Sequence, residues 1–291
     1  MAVFELKAEV PLDATPALEE LLAEREEQRL MVLEDKPSGQ AWLAGYFESA
    51  AEANDAWKQL AAAMNEPWTE VMPVVRELPD EDWKNSYKAH FKAWKFGRLN
   101  WVPVWDRATF KVPAGAEVLW LDPGMAFGTG NHETTRLCCE RLAQFAARRG
   151  GSGRVIDAGC GSGILALSAA KLGFRQTAGF DNDPESIKVS EENAALNGLS
   201  GCVEFYVGDL ITGLRGRSAD LVLANIQADV LMRFVPELCA AVIPEGQLVL
   251  SGILSRELEA VRVRFASHVP AWSVESRVLG EWADLAITRP A

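Results

Sequence analysis

Three glycines and two acidic residues lie at spacings that suit a nucleotide-binding turn. Gly159, Gly161 and Gly163 occupy alternate positions, Asp157 stands just before them, and Asp181 follows further along the chain. The apolar run before the turn predicts a buried strand, the run after it predicts a helix, and Asp181 stands at the tip of a second predicted strand. Strand, glycine turn, helix and strand in this order form the plan of a nucleotide-binding βαβ unit.

The glycine spacing bears on which ligand the turn would hold. A dinucleotide fingerprint has the spacing G-x-G-x-x-G and seats a pyrophosphate on the helix N-terminus. Here every second residue is a glycine, and the carboxylate of Asp157 would repel a pyrophosphate but suits a cation. S-adenosylmethionine carries a sulfonium and an ammonium and no phosphate, and Asp181 is placed to accept hydrogen bonds from its ribose hydroxyls. The alternative is a Rossmann-like core that binds no nucleotide.

Two further polar residues end predicted strands of the same sheet. Asp209 follows the strand predicted for residues 202–207, where a carboxylate can accept a hydrogen bond from the exocyclic amine of adenine. Asn225 ends the strand predicted for residues 220–225, at the edge where open α/β sheets bind their ligands. We therefore predict that both side chains line the same pocket as the glycine turn.

A second glycine-rich stretch, residues 122–130, precedes this unit and predicts a shaped loop. Thr134 and Thr135 then open a helix predicted for residues 136–148. Either threonine is expected to cap that helix and to touch the methionine end of the cofactor through its hydroxyl. His132 allows two interpretations, a general base or a residue that orders the loop.

The surrounding elements predict two domains joined by a linker. Residues 1–78 predict the order βαββαβ, the ferredoxin-like arrangement of a small sheet with two helices on one face. Residues 79–96 predict a linker helix whose aromatic face packs on the second domain or, alternatively, stacks on nucleic-acid bases. Residues 97–291 alternate strands and helices, which predicts a doubly wound α/β sheet, mostly parallel and seven-stranded, with one reversed strand at its edge.

Composition narrows the class of partner. The net charge of -12 disfavours direct nucleic-acid binding, which relies on clustered Lys and Arg, and suits a basic protein partner. The same acidity is also what keeps many enzymes in solution. The five cysteines form no C-x-x-C pair and have no nearby His, so we predict reduced core thiols and no metal site. No secretion signal or membrane-length apolar run is visible, which predicts a cytoplasmic protein with no membrane partner.

Several motifs together resemble the class I S-adenosylmethionine-dependent methyltransferases, and within them the bacterial family that methylates ribosomal protein L-eleven (L11). The resemblance covers residues 82–288. It rests on the linker pattern Asp82-Trp83 through Phe91, Gly97-Arg98 and Trp101, and on Gly124-Met125-Ala126-Phe127-Gly128-Thr129-Gly130, His132-Glu133-Thr134-Thr135, Asp157 through Ala166, Asp181-Asn182-Asp183-Pro184, Asn225-Ile226-Gln227-Ala228 and Ser251-Gly252-Ile253-Leu254. In residues 1–78 only the predicted order of elements is similar to the family's substrate-recognition domain.

The resemblance implies transfer of methyl groups to lysine side chains and to the N-terminal amine of L11. It also implies that Thr135, Gly159, Asp181 and Asn225 contact S-adenosylmethionine and that residues 1–78 bind the protein substrate. We further expect the side-chain carbonyl of Asn225 to direct the acceptor nitrogen. Two alternatives stay open: a class I methyltransferase acting on another protein, an RNA or a small molecule, and a cofactor-binding scaffold without turnover.

Overall fold

The computed structural model describes most of the chain as two compact units, Met1–His90 and Phe91–Ala291. The described residues are 3–24, 29–35, 40–64, 72–78, 92–122 and 132–291. The predicted glycine loop after residue 122 and most of the predicted linker helix lie outside them. The end of that helix prediction is wrong, because Trp94–Phe96 form a strand.

The first unit is a four-stranded sheet with two helices on one face. Its elements are β1 (Val3–Val10), α1 (Thr15–Glu24), β2 (Leu30–Asp35), β3 (Gln40–Phe47), α2 (Ala50–Met64) and β4 (Val74–Leu78). The strand order is β2-β3-β1-β4, and neighbouring strands are antiparallel. Leu18 of α1 and Trp57 of α2 pack with Leu6 and Leu43 of the sheet in one apolar core. The predicted ferredoxin-like arrangement is confirmed.

A small three-stranded sheet begins the second unit. It consists of β5 (Trp94–Phe96), β6 (Leu99–Pro103) and β7 (Glu117–Leu121), with β5 antiparallel and β7 parallel to β6. Gly97 takes a φ of 57°, a left-handed conformation that reverses the chain between β5 and β6. The buried Trp101 donates from Nε1 to Ser168 Oγ at 2.8 Å and so ties this sheet to the helix Ile164–Lys171.

The larger sheet carries the remaining elements. They are α3 (Glu133–Arg149), β8 (Arg154–Ala158), α4 (Ile164–Lys171), β9 (Gln176–Asp181), α5 (Pro184–Leu196), β10 (Val203–Val207), β11 (Ala219–Asn225), α6 (Ala228–Arg233), α7 (Val235–Ala240), β12 (Val242–Leu254), α8 (Leu258–His268), β13 (Ser273–Leu279) and β14 (Trp282–Thr288). The strand order is β10-β9-β8-β11-β12-β14-β13. The predicted seven-stranded, doubly wound sheet is confirmed, and the order reverses between β8 and β11.

The position of the reversed strand corrects the prediction. β14 runs antiparallel to both β12 and β13, so the reversed strand is second from the edge and β13 is the edge strand. Burial explains why β13 and not β14 is the edge strand. Residues 283–287 of β14 are all buried, whereas β13 is half-buried or exposed along its length. A strand that is buried on both faces belongs inside a sheet, with a neighbour on each side.

Helices cover both faces of this sheet. The core on one face contains residues of α3 and α4, such as Leu142 and Leu167, and the core on the other contains residues of α6, α7 and α8, such as Leu231 and Phe265. Four of the five cysteines are buried as predicted, but Cys202, in the turn before β10, is exposed. Within the described ranges, no helix has the length and apolar character needed to cross a membrane.

Candidate functional site

The candidate site lies at the carboxyl edge of the large sheet, where β8 and β11 are neighbours. Because the strand order reverses between these two strands, their following segments diverge and leave a crevice. Asn225 at the end of β11 is in register with Ser251 of β12, and Ala158 at the end of β8 is in register with Ala224. The first turn of α3 lies against the same edge, since Ser251 Oγ donates to Thr134 O at 3.0 Å.

The glycine turn after β8 needs its glycines for conformation and for space. Gly159, Gly161 and Gly163 have φ values of 73°, 51° and 75°, in the left-handed region that other residues adopt with strain. A Cβ on Gly163 would lie 2.8 Å from Ser190 Oγ. The turn therefore brings its backbone to the carboxyl edge without a Cβ at these three positions.

Asp157 replaces the capping side chain that α4 lacks. The N-cap of α4 is Gly163, which offers no side-chain acceptor, and Asp157 Oδ2 instead accepts from Ala166 N at 3.0 Å. Its other oxygen, Oδ1, is buried and has no hydrogen-bond partner among the described residues. Burial raises the pKa of Asp157 to about 7, the hydrogen bond from Ala166 opposes this rise, and the charge of Asp181 adds to it.

This unpaired oxygen tests whether the pocket fits a cationic cofactor. A buried carboxylate oxygen without a partner is unfavourable, so the site favours a ligand that donates hydrogen bonds or carries positive charge. S-adenosylmethionine has both properties and a pyrophosphate has neither. The buried acceptor oxygen of Asp157 therefore fits the predicted cofactor.

Asp181 is held in place at the end of β9 by two backbone amides. Its Oδ2 accepts from Gly161 N at 2.9 Å and its Oδ1 accepts from Asp183 N at 3.1 Å. The first bond links the ends of β8 and β9. Each carboxylate oxygen has a second lone pair, so the half-buried side chain can still accept from a pair of hydroxyls.

Asp209 organises its own loop. Its Oδ1 accepts from Ile211 N, from Thr212 N and from Thr212 Oγ1 at 3.0, 2.6 and 2.7 Å. The backbone and hydroxyl hydrogen bonds from Thr212 lower the pKa of this exposed carboxyl group. No donor in the described part of the chain reaches Oδ2, and no contact there joins Asp209 to the other predicted site residues.

Asn225 and Thr135 are joined directly. Asn225 Nδ2 donates to Thr135 Oγ1 at 3.3 Å, which connects the end of β11 to the first turn of α3 across 90 residues of sequence. Thr135 is buried, whereas Asn225 is half-buried. Because the amide nitrogen makes this bond, the carbonyl oxygen of Asn225 remains available to a donor in the crevice.

The cap of α3 differs from the prediction. The helix begins at Glu133, so Thr134 and Thr135 lie inside its first turn and the N-cap is His132. His132 Nδ1 accepts from Thr134 N at 3.4 Å and lies 2.8 Å from Thr134 Oγ1. An extended N-cap backbone with a side-chain acceptor meets the usual requirement, and here imidazole supplies what a hydroxyl was expected to supply.

The surroundings of His132 favour a structural role over that of a general base. Burial lowers the pKa of His132, Glu133 partly opposes this, and Arg136 lowers it further, so the ring is neutral near pH 7. A neutral ring that accepts at Nδ1 carries its proton on Nε2 and has no second basic nitrogen. The ring also packs edge to face on Trp282.

Sequence reasoning missed two residues of this edge. Ser251 is fully buried and holds α3 to the sheet, and Trp282 packs on the N-cap of the same helix. Ser251 belongs to a motif quoted above, yet nothing in its type or spacing indicated the contact with Thr134. Trp282 follows a glycine turn in an edge hairpin, where an aromatic residue is ordinary.

Comparisons with known proteins agree with one family. A family model described as ribosomal protein L11 methyltransferase (PrmA) matches residues 12–290. A protein of Myxococcus xanthus named ribosomal protein L11 methyltransferase is 34% identical over 295 residues, covering 98% of each chain. One of Geobacter sulfurreducens with the same name is 44% identical over 214 residues, covering 73% of this chain and 68% of that protein.

A solved structure is also similar. The crystal structure of ribosomal protein L11 methylase from Lactobacillus delbrueckii subsp. bulgaricus superimposes with a TM-score of 0.59 and 32% sequence identity. The match covers 69% of this chain and 100% of that chain.

Proposed function

Because the chain belongs to the ribosomal protein L11 methyltransferase family, we propose that it methylates lysine side chains and the N-terminal amine of L11. Membership makes it an S-adenosylmethionine-dependent methyltransferase. The observation that carries the proposal is the Asn225–Thr135 pair beside the glycine turn, in a crevice where Asp157 Oδ1 is buried and has no partner in the described part of the chain. We also place this reaction in the cytoplasm.

Different residues of the chain bind different parts of the cofactor in this proposal. When bound, S-adenosylmethionine supplies a methyl carbon on a positively charged sulfur that is a good leaving group. We assign binding to the side chains and glycine backbones that line the carboxyl edge: Thr135, Asp157, Gly159, Gly161, Gly163, Asp181, Asp209 and Asn225. In this assignment Asp181 accepts from the ribose hydroxyls, Asp209 accepts from adenine, and the glycines allow the backbone to approach closely.

The acceptor amine must reach the site without its proton. Deprotonation at pH 7 costs about 4 to 5 kcal/mol for a lysine of pKa about 10.4, and about 1 to 1.5 kcal/mol for an α-amine of pKa about 8. An apolar crevice lowers both values, because it disfavours the ammonium form. His132 is committed to the helix cap. Positioning by Asn225 Oδ1 is therefore the contribution we assign to the protein, together with desolvation.

We assign recognition of the protein substrate to residues 1–78, with residues 79–96 as the linker and residues 97–291 as the methyltransferase domain. The face of the first sheet opposite α1 and α2 supports this assignment, because it carries large side chains that neither of these two helices covers. Lys7 Nζ lies 4.6 Å from the centroid of the half-buried Trp42 ring. Met31 is 42% exposed on β2 of the same face.

This face carries charged groups of both signs, and its two carboxylates can bind basic groups of a protein partner. Glu9 is in register with Trp42, and Glu5 is in register with Arg76 and accepts from it at 2.6 Å. A partner lysine can bind Glu9 directly or replace Arg76 at Glu5. Aromatic residues and methionine are enriched in protein–protein interfaces, which suits Trp42 and Met31 of this face.

The test is transfer of radiolabelled methyl from S-adenosylmethionine into purified L11, run beside total RNA and a small-molecule extract. We expect label in L11 at its lysines and N-terminus. Trp42→Ala should raise the KM for L11 without changing cofactor affinity, and Trp57→Phe, a conservative change within the core of the same unit, should change neither. Label in RNA or small molecules alone would support the assigned cofactor pocket and refute the assignment of L11 as the substrate.

A further inference from the structure

We propose that Ile226 is a positioning residue that fixes Asn225 relative to the glycine turn, and that the bulge at Ser251-Gly252 exists to receive its backbone. The proposal rests on the proposed function, in which Asn225 directs the acceptor amine toward the cofactor held by the turn. It concerns a residue that contacts neither ligand in that assignment.

The first observation is the close approach of Gly252 to Ile226. A Cβ on Gly252 would lie 2.4 Å from Ile226 O and 2.9 Å from Ile226 C, and Gly252 has a φ of 81°. The pairing of β12 with β14 shifts by one residue between Leu250 and Ile253, which is the mark of a bulge. The bulge thus removes side-chain volume at the point where the backbone after Asn225 passes.

The second observation is the contact of the same residue with the glycine turn. A Cβ on Gly159 would lie 2.6 Å from Ile226 Cγ2, so the Ile226 side chain occupies the space above Gly159. The turn cannot retreat, because Gly159 N and Cys160 N both donate to Phe180 O at 2.9 Å. A β-branched side chain has few χ1 rotamers, so Cγ2 is held at a fixed offset from its own backbone.

These two contacts make Ile226 a spacer between the ends of three strands. Its backbone rests on β12, its side chain rests on the turn after β8, and it directly follows Asn225 of β11. The amide of Asn225 is then directed by the bond to Thr135. Small errors at this point matter, since a misplacement of about 1 Å in a reacting pair can lower a rate on the order of 100-fold.

An ordinary core role makes a different prediction. Ile226 is half-buried at the border of the apolar core that contains α6, α7 and α8. If it only filled that core, its loss would lower stability and leave kcat at saturating substrates unchanged. Val274, a half-buried aliphatic residue of β13 on the same core, provides the matched control.

The experiment compares Ile226→Val, which keeps Cγ2, with Ile226→Ala and Ile226→Leu, which do not, and with Val274→Ala. We expect kcat on L11 to fall about 10-fold or more in the Ala and Leu variants, and to stay within about twofold of wild type in the Val variant. The Kd of S-adenosylhomocysteine, measured by calorimetry, should change less than about threefold in all. Ile226→Leu conserves volume and guards against a misfolded Ala variant.

A second readout does not depend on the acceptor. The side-chain amide resonance of Asn225, identified by its loss in Asn225→Ala, should move in the Leu variant toward its position in Thr135→Val and stay in place in the Val variant. Wild-type kcat in the Leu variant, or equal losses in Val and Leu, would overturn the proposal. If wild-type enzyme leaves L11 unlabelled, the proposed function fails, and the amide resonance alone decides the role of Ile226.

Discussion

The imidazole of His132 and the indole of Trp282 meet edge to face, with 4.9 Å between ring centroids and 67° between ring planes. His132 is the N-cap of α3 and Trp282 is the first residue of β14. The pair therefore fastens the turn that carries Thr135 to the C-terminal hairpin.

Replacing the indole should loosen this helix start. Trp282→Ala should lower the free energy of unfolding by about 2 kcal/mol, of which about 1 is the aromatic pair itself. It should also weaken S-adenosylhomocysteine binding several-fold, because Thr135 loses its fixed position. Urea unfolding and calorimetry measure the two effects. Trp282→Phe keeps an aromatic ring, so its stability and its affinity should lie between those of Trp282→Ala and wild type. Unchanged affinity in Trp282→Ala would show that the His132–Trp282 contact does not influence cofactor binding.

Removing the side-chain amide of Asn225 should lower the rate of methyl transfer without lowering the stability of the fold. Asn225→Ala should lower kcat on the order of 100-fold, as loss of one oriented polar group at a reacting centre commonly does. Thermal unfolding should change little, since the side chain is half-buried and its hydrogen bond to Thr135 is long at 3.3 Å. Single-turnover transfer into L11 is the measurement, and a variant that keeps full turnover and cofactor affinity would remove Asn225 from the mechanism.

The buried ion pair between α3 and β14 should be costly to break on one side. Arg141 Nη2 and Asp284 Oδ1 are 2.8 Å apart, and both side chains are buried. Asp284→Ala would leave a buried cation whose other carboxylate, Glu275, is largely exposed, and should destabilise the fold by about 3 to 5 kcal/mol. The double variant Arg141→Met with Asp284→Leu should recover much of this loss in urea unfolding.

Asp157 should set a pH dependence of stability. Its carboxyl group has a pKa of 3.8 when unperturbed, and burial raises this pKa to about 7 in the folded chain. As pH rises between these values, the unfolded chain ionises first, so the folded state loses stability, and above about pH 7 the penalty is constant. Asp157→Asn keeps the acceptor for Ala166 and should gain about 2 to 4 kcal/mol at about pH 7.5 relative to wild type.

Two further features make this a discriminating test. The stability advantage of Asp157→Asn should vanish below the unperturbed pKa of 3.8, because both states of the wild type are then protonated. The same variant should bind S-adenosylmethionine more weakly, since it lacks the charge that suits a cation. A variant that is destabilised at neutral pH would mean that the carboxylate is already satisfied in the free protein.

The pH dependence of methylation should differ between the two kinds of amine. Only the neutral amine attacks, so kcat/KM for lysine sites should rise about tenfold per pH unit from about pH 7 to 9, whereas the α-amine should level off near about pH 8. Site-resolved mass spectrometry of L11 at early times provides both profiles. A flat profile at the lysines would mean that a group of the enzyme takes up the proton.

The sequence predicted the parts of the site that depend on local pattern. The glycine turn and the strand that ends at Asp181 have strong local signals, because apolar runs, glycines and acids lie close together in the chain. The cap of α3 was predicted wrongly, since threonine is the commoner capping residue and His132 has no local mark of that role. The contact of Ser251 with Thr134 joins residues 117 apart, and only the packed sheet brings them together.

The place of β14 has a consequence for biosynthesis. Residues 282–288 follow β13 in the chain but fill the gap between β12 and β13. As the chain emerges, β12 therefore keeps an open, apolar edge until those residues are made, and open edges are the usual starting points of aggregation. A chain truncated shortly before Trp282 would have a complete glycine turn and an incomplete sheet. Such a product would be a substrate for chaperones and proteases before it could act as an enzyme.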